Sequence, residues 1–217
     1  AAYAVLPGWP WAPPTETLDQ VAWFVVAGTL AGLGIDIMTR GRLAPTFVGL
    51  FWPALAIAYL VGFEWQTGVD RNLYRYGEAS VVLGLVLARM EQIRDTGISA
   101  PVGGAVVAAG LGAVAWVSGL PETAMFAFVM AAAGLGWILC NWPTRRLSFG
   151  ATGLLGWGGA IMALAAHLAL TSEVNGFIVL LVLLGLVVDP LAQGVVAGNR
   201  FTRTDAVAPL AKAILIA

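Results

Sequence analysis

Residues 176–198 read Gly-Phe-Ile-Val-Leu-Leu-Val-Leu-Leu-Gly-Leu-Val-Val-Asp-Pro-Leu-Ala-Gln-Gly-Val-Val-Ala-Gly. A helix of this length, rising about 1.5 Å per residue, crosses a hydrocarbon core of roughly 30 Å. The stretch also contains Asp189 and, one turn later on the same helix face, Gln193. A carboxylate at such a depth is costly unless it is paired, protonated or hydrated. Asp189 therefore requires a partner from another part of the chain.

Composition assigns the chain to the membrane. Of its 217 residues, 59% are hydrophobic and only 11% are charged, and the mean hydropathy is +0.86. Such a composition is typical of an integral membrane protein. The net charge of −1 supplies no basic patch, so we expect no nucleic-acid partner.

Seven apolar spans are predicted to be transmembrane helices, because in lipid a helix satisfies its own backbone. They cover residues 18–38, 46–65, 74–90, 100–119, 122–142, 148–171 and 176–198. The third is the shortest and least apolar, so we expect its neighbours to enclose it most. The predicted fold class is an all-α, multi-pass seven-helix bundle in the cell membrane.

Basic residues fix the expected orientation of the bundle. They concentrate in alternate connections and after the last span, at Arg40, Arg42, Arg89, Arg94, Arg145, Arg146, Arg200, Arg203 and Lys212. The positive-inside rule places these on the cytoplasmic side. We therefore predict an extracellular N-terminal segment (1–17), a transmembrane domain (18–198) and a cytoplasmic C-terminal tail (199–217).

Polar side chains inside the spans are few. Arg75 and Glu78 lie three residues apart at the start of the third span and so share a helix face. An arginine between Glu78 and Asp189 would neutralise two buried carboxylates. We expect these three to form the polar centre of the bundle, either as a functional site or as an ion-pair network that locks helix three to helix seven. Asp36 and Glu64, near span ends, are expected to reach the membrane interface.

Residue types that commonly support catalysis or metal binding are sparse. His167 is the only histidine and Cys140 the only cysteine, so no zinc or bis-histidine haem site is expected. His167 is interpreted as an interfacial side chain, with a proton-responsive role as the alternative. No nucleophile-elbow, His-Glu-x-x-His or phosphate-loop motif occurs. We do not expect an enzyme.

Together these features resemble the microbial (type 1) rhodopsins. Residues 75–78, Arg-Tyr-Gly-Glu, resemble the family's helix-three Arg-Tyr-x-Asp, whose carboxylate is the counterion and proton acceptor. Residues 188–193, Val-Asp-Pro-Leu-Ala-Gln, resemble its helix-seven Asp-x-x-Ala-Lys, whose lysine carries retinal as a Schiff base. Trp157 matches the helix-six tryptophan that stacks on the polyene. Weaker similarities lie at residues 28–34, 53–60 and 102–105.

The departures from this pattern decide what the resemblance implies. Gln193 stands where the family has its Schiff-base lysine, and the only lysine, Lys212, lies beyond helix seven. An amide cannot form a Schiff base, so covalent retinal is excluded at this position. The reprotonating carboxylate of the pumps falls near Arg89, which reverses the charge.

Other positions around the chromophore also differ. Ala79 replaces the tryptophan that follows the helix-three carboxylate, and Ala160 and Leu164 replace helix-six aromatics. The resemblance therefore implies a lysine-less relative rather than a light-driven pump. We expect a partner protein that assembles with itself or with a retinal-bearing rhodopsin. The alternative is proton or ion transport, or noncovalent retinal binding near Trp157 and Gln193, using the Arg75, Glu78 and Asp189 cluster.

Restoring the lysine tests the resemblance. We predict that the Gln193→Lys variant, mixed with all-trans-retinal, gains a visible absorption band that hydroxylamine bleaches, whereas the wild type does not. A variant that stays colourless would count against a retained retinal pocket.

Overall fold

The computed structural model describes residues 17–39, 45–61, 73–93, 99–141, 149–170 and 174–186. All regular structure within these ranges is helical, in seven helices. They are α1 (Thr17–Thr39), α2 (Pro45–Val61), α3 (Leu73–Ile93), α4 (Ser99–Val117), α5 (Pro121–Cys140), α6 (Gly153–Leu170) and α7 (Gly176–Leu184). Each overlaps one predicted span.

Four of these helices are long and apolar enough to cross a membrane: α1 over Leu18–Met38, α4, α5 and α6. A shorter apolar helix lies at Phe51–Leu60 in α2. The predicted all-helical, multi-pass membrane protein is therefore confirmed for the described part of the chain. A seven-span, rhodopsin-like arrangement stays a prediction, as does the orientation.

Helices α4 and α5 form a tight antiparallel hairpin. Gly119, in the turn between them, has a φ of +77°, a left-handed conformation that glycine adopts without steric cost. The Leu120 amide donates to the Ala115 carbonyl at 2.9 Å, and Pro121 begins α5, where its missing N–H is not needed. The chain therefore reverses within three residues.

Helix α6 is the centre of the bundle. It contacts all six other helices among the described residues, and 72% of its span is buried, against 28% for α1. Its first turns, Gly153–Gly158, are π-helical before the α-helix continues over Gly159–Leu170. The expectation that helix three is the most enclosed is wrong, because α3 leaves Val81 and Leu85 exposed. The more apolar α6 takes the central place.

Glycines bring α1 and α6 into backbone contact. A Cβ atom on Gly32 would lie 2.5 Å from the Ala151 carbonyl oxygen, and one on Gly28 would collide with the Leu155 carbonyl. On the α6 side of the same contact, a Cβ on Gly156 would lie 2.5 Å from Thr29 Oγ1. Small residues are what allow membrane helices to approach this closely. The backbones of α1 and α6 are thus in direct contact at these glycines.

The glycine contact can be tested within a single helix. Gly32→Ala should destabilise the protein by about 1–3 kcal/mol because its methyl group overlaps α6. The measurement is unfolding by SDS in mixed micelles. Gly34→Ala is the matched control, because nothing lies within 4 Å of its Cβ position. Equal effects of the two substitutions would contradict the contact.

Candidate functional site

The described residues include only part of the predicted polar centre. Glu78 is an exposed residue of α3. Arg75 belongs to the same helix, but its side chain lies outside the description, as do Asp189 and Gln193. The contact of Arg75 with Glu78 and Asp189, next to Gln193, therefore stays a prediction.

Glu78 lines a cleft between three helices, of about 200 Å³. Ala79 and Val82 lie beside it on α3, and the opposite walls come from the C-terminal end of α6 and from α7. Those walls are small or aliphatic: Ala165, Ala166 and Ala169 on α6, and Gly176, Val179 and Leu183 on α7. We call this the Glu78 cleft. Helices α3 and α7, which the sequence predicts to share a site, both line this cleft.

The residues equivalent to a chromophore site are separated in the structure. Ala79 lines the Glu78 cleft, whereas Trp157 lines a second cleft near the start of α6. Ala160 and Leu164 are completely buried between them and line neither cleft. The middle of α6 is thus packed by protein: residues 160–166 are each at most 1% exposed.

Trp157 is held between α4 and α5. Its six-membered ring occupies the space that side chains on Gly104 and Gly134 would fill. Its indole Nε1 donates a hydrogen bond of 2.9 Å to the Met130 carbonyl oxygen. Gly134, one turn after Met130, leaves that carbonyl accessible. Because both the ring and its donor are satisfied by protein, the Trp157 side chain is fixed in orientation.

Asp36 caps residues 151–152, the helical residues that lead directly into α6. Its carboxylate accepts hydrogen bonds from the Ala151 amide at 2.8 Å and the Thr152 amide at 2.9 Å. A third comes from the Thr152 hydroxyl at 2.7 Å. These satisfy helix N-terminal donors and place a negative charge at the positive end of the helix dipole. Asp36 thus hydrogen-bonds to the start of α6, a partner that the sequence does not predict; its expected position at the membrane interface stays a prediction.

The second cleft adjoins this cap and has a volume of about 760 Å³. Its lining includes Asp36, Thr152 and the aromatic rings of Trp137, Phe149 and Trp157. Phe149 is the middle ring: its centroid lies 5.5 Å from that of Trp137 and 6.0 Å from that of Trp157. We call this the Asp36 cleft. It combines a carboxylate with aromatic walls, unlike the aliphatic Glu78 cleft.

Metal ligands do not cluster in the described part of the chain. No group of three or more His, Cys, Asp and Glu side chains there could hold a metal ion. His167 lies half-buried in the last turn of α6, and Cys140 is exposed at the end of α5. The two clefts are therefore the better candidates for a site.

No protein-family model, curated protein or solved structure matches the chain.

Sequence reasoning missed the residues that build the Asp36 cleft and the seat of Trp157. Gly28, Gly32 and Asp36 recur every four residues, which places two small residues and a carboxylate on one helix face. This four-residue spacing is the feature of the sequence from which a close contact of α1 with another helix could have been predicted. The partner positions of Trp157, Gly104 and Gly134, lie on other helices, and nothing in the sequence pairs them.

The cap provides a second test. Asp36→Ala should cost about 0.5–2 kcal/mol of stability because three donors at the start of α6 lose their acceptor. Asp36→Asn, which keeps one carbonyl oxygen, should cost less. Unfolding midpoints in SDS and maltoside micelles measure both. Alanine and asparagine variants of equal stability would argue against the cap.

Proposed function

We propose that this protein is an opsin-like seven-helix membrane protein that carries no covalent retinal and acts by assembly, with copies of itself or with a retinal-bearing rhodopsin. The observation that supports this most is the filled middle of α6. Residues 160–166 are buried and apolar, and Trp157 is hydrogen-bonded into the α4–α5 pair. With Gln193 in place of the lysine, the chain lacks the covalent tether, and the middle of α6 packs against other parts of the protein.

Helix α5 offers a face suited to contact with another helix. Ala132, Gly136 and Cys140 follow one another every four residues and are all exposed. Nothing lies within 4 Å of a Cβ position on Gly136, so packing within the chain does not require a glycine there. Small exposed residues at this spacing allow close helix approach in lipid. This face identifies the position at which assembly can be tested.

Assembly is tested by energy transfer between fluorescent fusions in bilayers. The wild type should transfer energy to a second copy or to a co-reconstituted retinal-bearing rhodopsin. Gly136→Leu should weaken that association by about tenfold, because the larger side chain separates the helices. Gly34→Leu, at another open glycine position, is the control and should have no effect. A wild-type protein that stays monomeric with both partners would refute the proposal.

Transport is the second candidate, and the positions of the two clefts favour it. The Glu78 cleft lies at the end of α6 and the Asp36 cleft at its start, each lined by one carboxylate. The buried stretch from Ala160 to Leu164 separates them. Two clefts separated by an apolar stretch suit a carrier that opens to one side of the membrane at a time. This candidate includes carriers with noncovalent retinal and carriers without it.

Flux measurements distinguish transport from assembly. If the chain is a carrier, proteoliposomes should acidify or alkalinise their lumen under an imposed ion gradient, in light or darkness, with or without retinal. Glu78→Gln removes the carboxylate from its cleft and should reduce the rate at least about tenfold. Identical rates in wild type, variant and empty liposomes would eliminate this candidate.

A further inference from the structure

The Glu78 cleft begins where the ends of three helices meet. Glu78 lies in the second turn of α3, α6 ends at Leu170 and α7 begins at Gly176. A Cβ atom on Gly176 would lie 3.9 Å from the Cβ of Ala169, so the end of α6 contacts the start of α7. Glu78, Leu170 and Gly176 all line the cleft. The carboxylate is therefore at one end of the cleft, level with the helix ends.

The rest of the cleft is hydrocarbon. From the helix ends its lining follows the three helices toward the middle of the bundle, with the side chains of Ala79, Val82, Leu83, Ala165, Ala166, Ala169, Val179, Leu180 and Leu183. Among the described lining residues, Glu78 is the only one with a polar side chain, and none is aromatic. The cleft thus has a charged end and an aliphatic length.

The size of the cleft limits what fits in it. Its volume of about 200 Å³ is below the roughly 300–1,000 Å³ of sites for drug-sized ligands. Its lining on α6 reaches inward to Ala165, and residues 160–164 beyond it are at most 1% exposed. A single unbranched chain suits such a space better than a ring system does. Its polar end would lie at Glu78 and its tail would point toward the middle of α6.

Charge selects the polar end of the ligand. The Glu78 carboxylate is exposed, and no described residue donates a hydrogen bond to it or forms an ion pair with it. A carboxylate beside hydrocarbon gains from a cationic partner. If the predicted contact of Arg75 with Glu78 and Asp189 forms, one positive charge still faces two carboxylates. A monovalent cation would complete the neutralisation in that case too.

A primary ammonium group matches a carboxylate best. It has three N–H donors and no acceptor, and its charge-assisted hydrogen bonds are roughly twice as strong as neutral ones. We propose that the Glu78 cleft binds a primary ammonium group carried on a single unbranched aliphatic chain. The ammonium lies at Glu78 and the chain lies against the alanines of α6. The inference does not depend on the proposed assembly role, because α5 does not contribute to the described lining.

The experiment measures binding of radiolabelled octylamine to the full chain in phosphatidylcholine nanodiscs, with the signal of protein-free nanodiscs subtracted. Octan-1-ol and octanoate carry the same chain with a neutral or a negative end. Octylamine should bind about tenfold more tightly than octan-1-ol, and octanoate should not displace it. Glu78→Gln should remove this preference by weakening octylamine binding about tenfold. Glu122→Gln, which removes an exposed carboxylate in the first turn of α5, is the matched control and should change nothing.

Two further variants keep the test decisive. Ala79→Leu, at a half-buried lining position, should abolish binding of both the amine and the alcohol by filling the cleft, and it serves if Glu78→Gln does not fold. Arg75→Gln should bind octylamine at least as well as the wild type. Octylamine binding that occurs only in Arg75→Gln would show that Arg75 already neutralises Glu78, and would overturn the proposal.

The lipid composition identifies the source of the ammonium group. Replacing phosphatidylcholine by phosphatidylethanolamine should leave octylamine binding unchanged, because the lipid's phosphate would be repelled by Glu78 and its two chains exceed the cleft. Suppression by phosphatidylethanolamine would overturn the assignment to a single-chain amine. Equal affinities for octylamine and octan-1-ol, or equal effects of Glu78→Gln and Glu122→Gln, would overturn the site itself.

Discussion

The contact between α1 and the start of α6 is the constraint on which the rest of the described structure depends. Lipid supplies no hydrophobic force to hold two helices together, so close packing and hydrogen bonds must do so. Gly28 and Gly32 remove the side chains that would keep the backbones apart. Asp36, one turn further along, accepts hydrogen bonds from the amides of residues 151 and 152, immediately before α6. One face of α1 therefore fixes both the distance to α6 and the position at which that helix begins.

Once its start is fixed, α6 separates the polar groups of the bundle. It is surrounded by the other helices and is apolar through its middle. Carboxylates are consequently placed at its two ends, Asp36 at one and Glu78 at the other. The π-helical turn at Gly153–Gly158 carries Trp157, and irregular turns of this kind are common at functional sites. The Asp36 cleft lies next to that turn and is lined by Trp157.

Sequence reasoning predicted the helices well and their arrangement less well. Apolar length alone located the helices, because a membrane span needs about twenty apolar residues. It placed helix three at the centre because of its polarity, whereas α6 lies there. It did not predict the hydrogen bonds of Asp36, because a single sequence does not reveal that Ala151 and Thr152 present amides to it. Contacts between helices distant in sequence depend on shape, which composition does not encode. The predicted meeting of Arg75, Glu78 and Asp189 is still to be tested.

Disulfide formation between α1 and α6 tests the central contact most directly. The Cβ of Thr29 lies 3.3 Å from the Cβ position of Gly156, close to the roughly 3.5–4.5 Å that a disulfide bridges. Cys140 is the only native cysteine, so a Cys140→Ser background leaves no competing thiol. In that background the Thr29→Cys, Gly156→Cys pair should oxidise to an intramolecular bond that protects both thiols from alkylation. The Leu30→Cys, Gly156→Cys pair should not, because the three atoms nearest the Gly156 Cβ position all belong to Thr29 and none to Leu30. Full alkylation of the first pair under the same oxidant would contradict the α1–α6 contact.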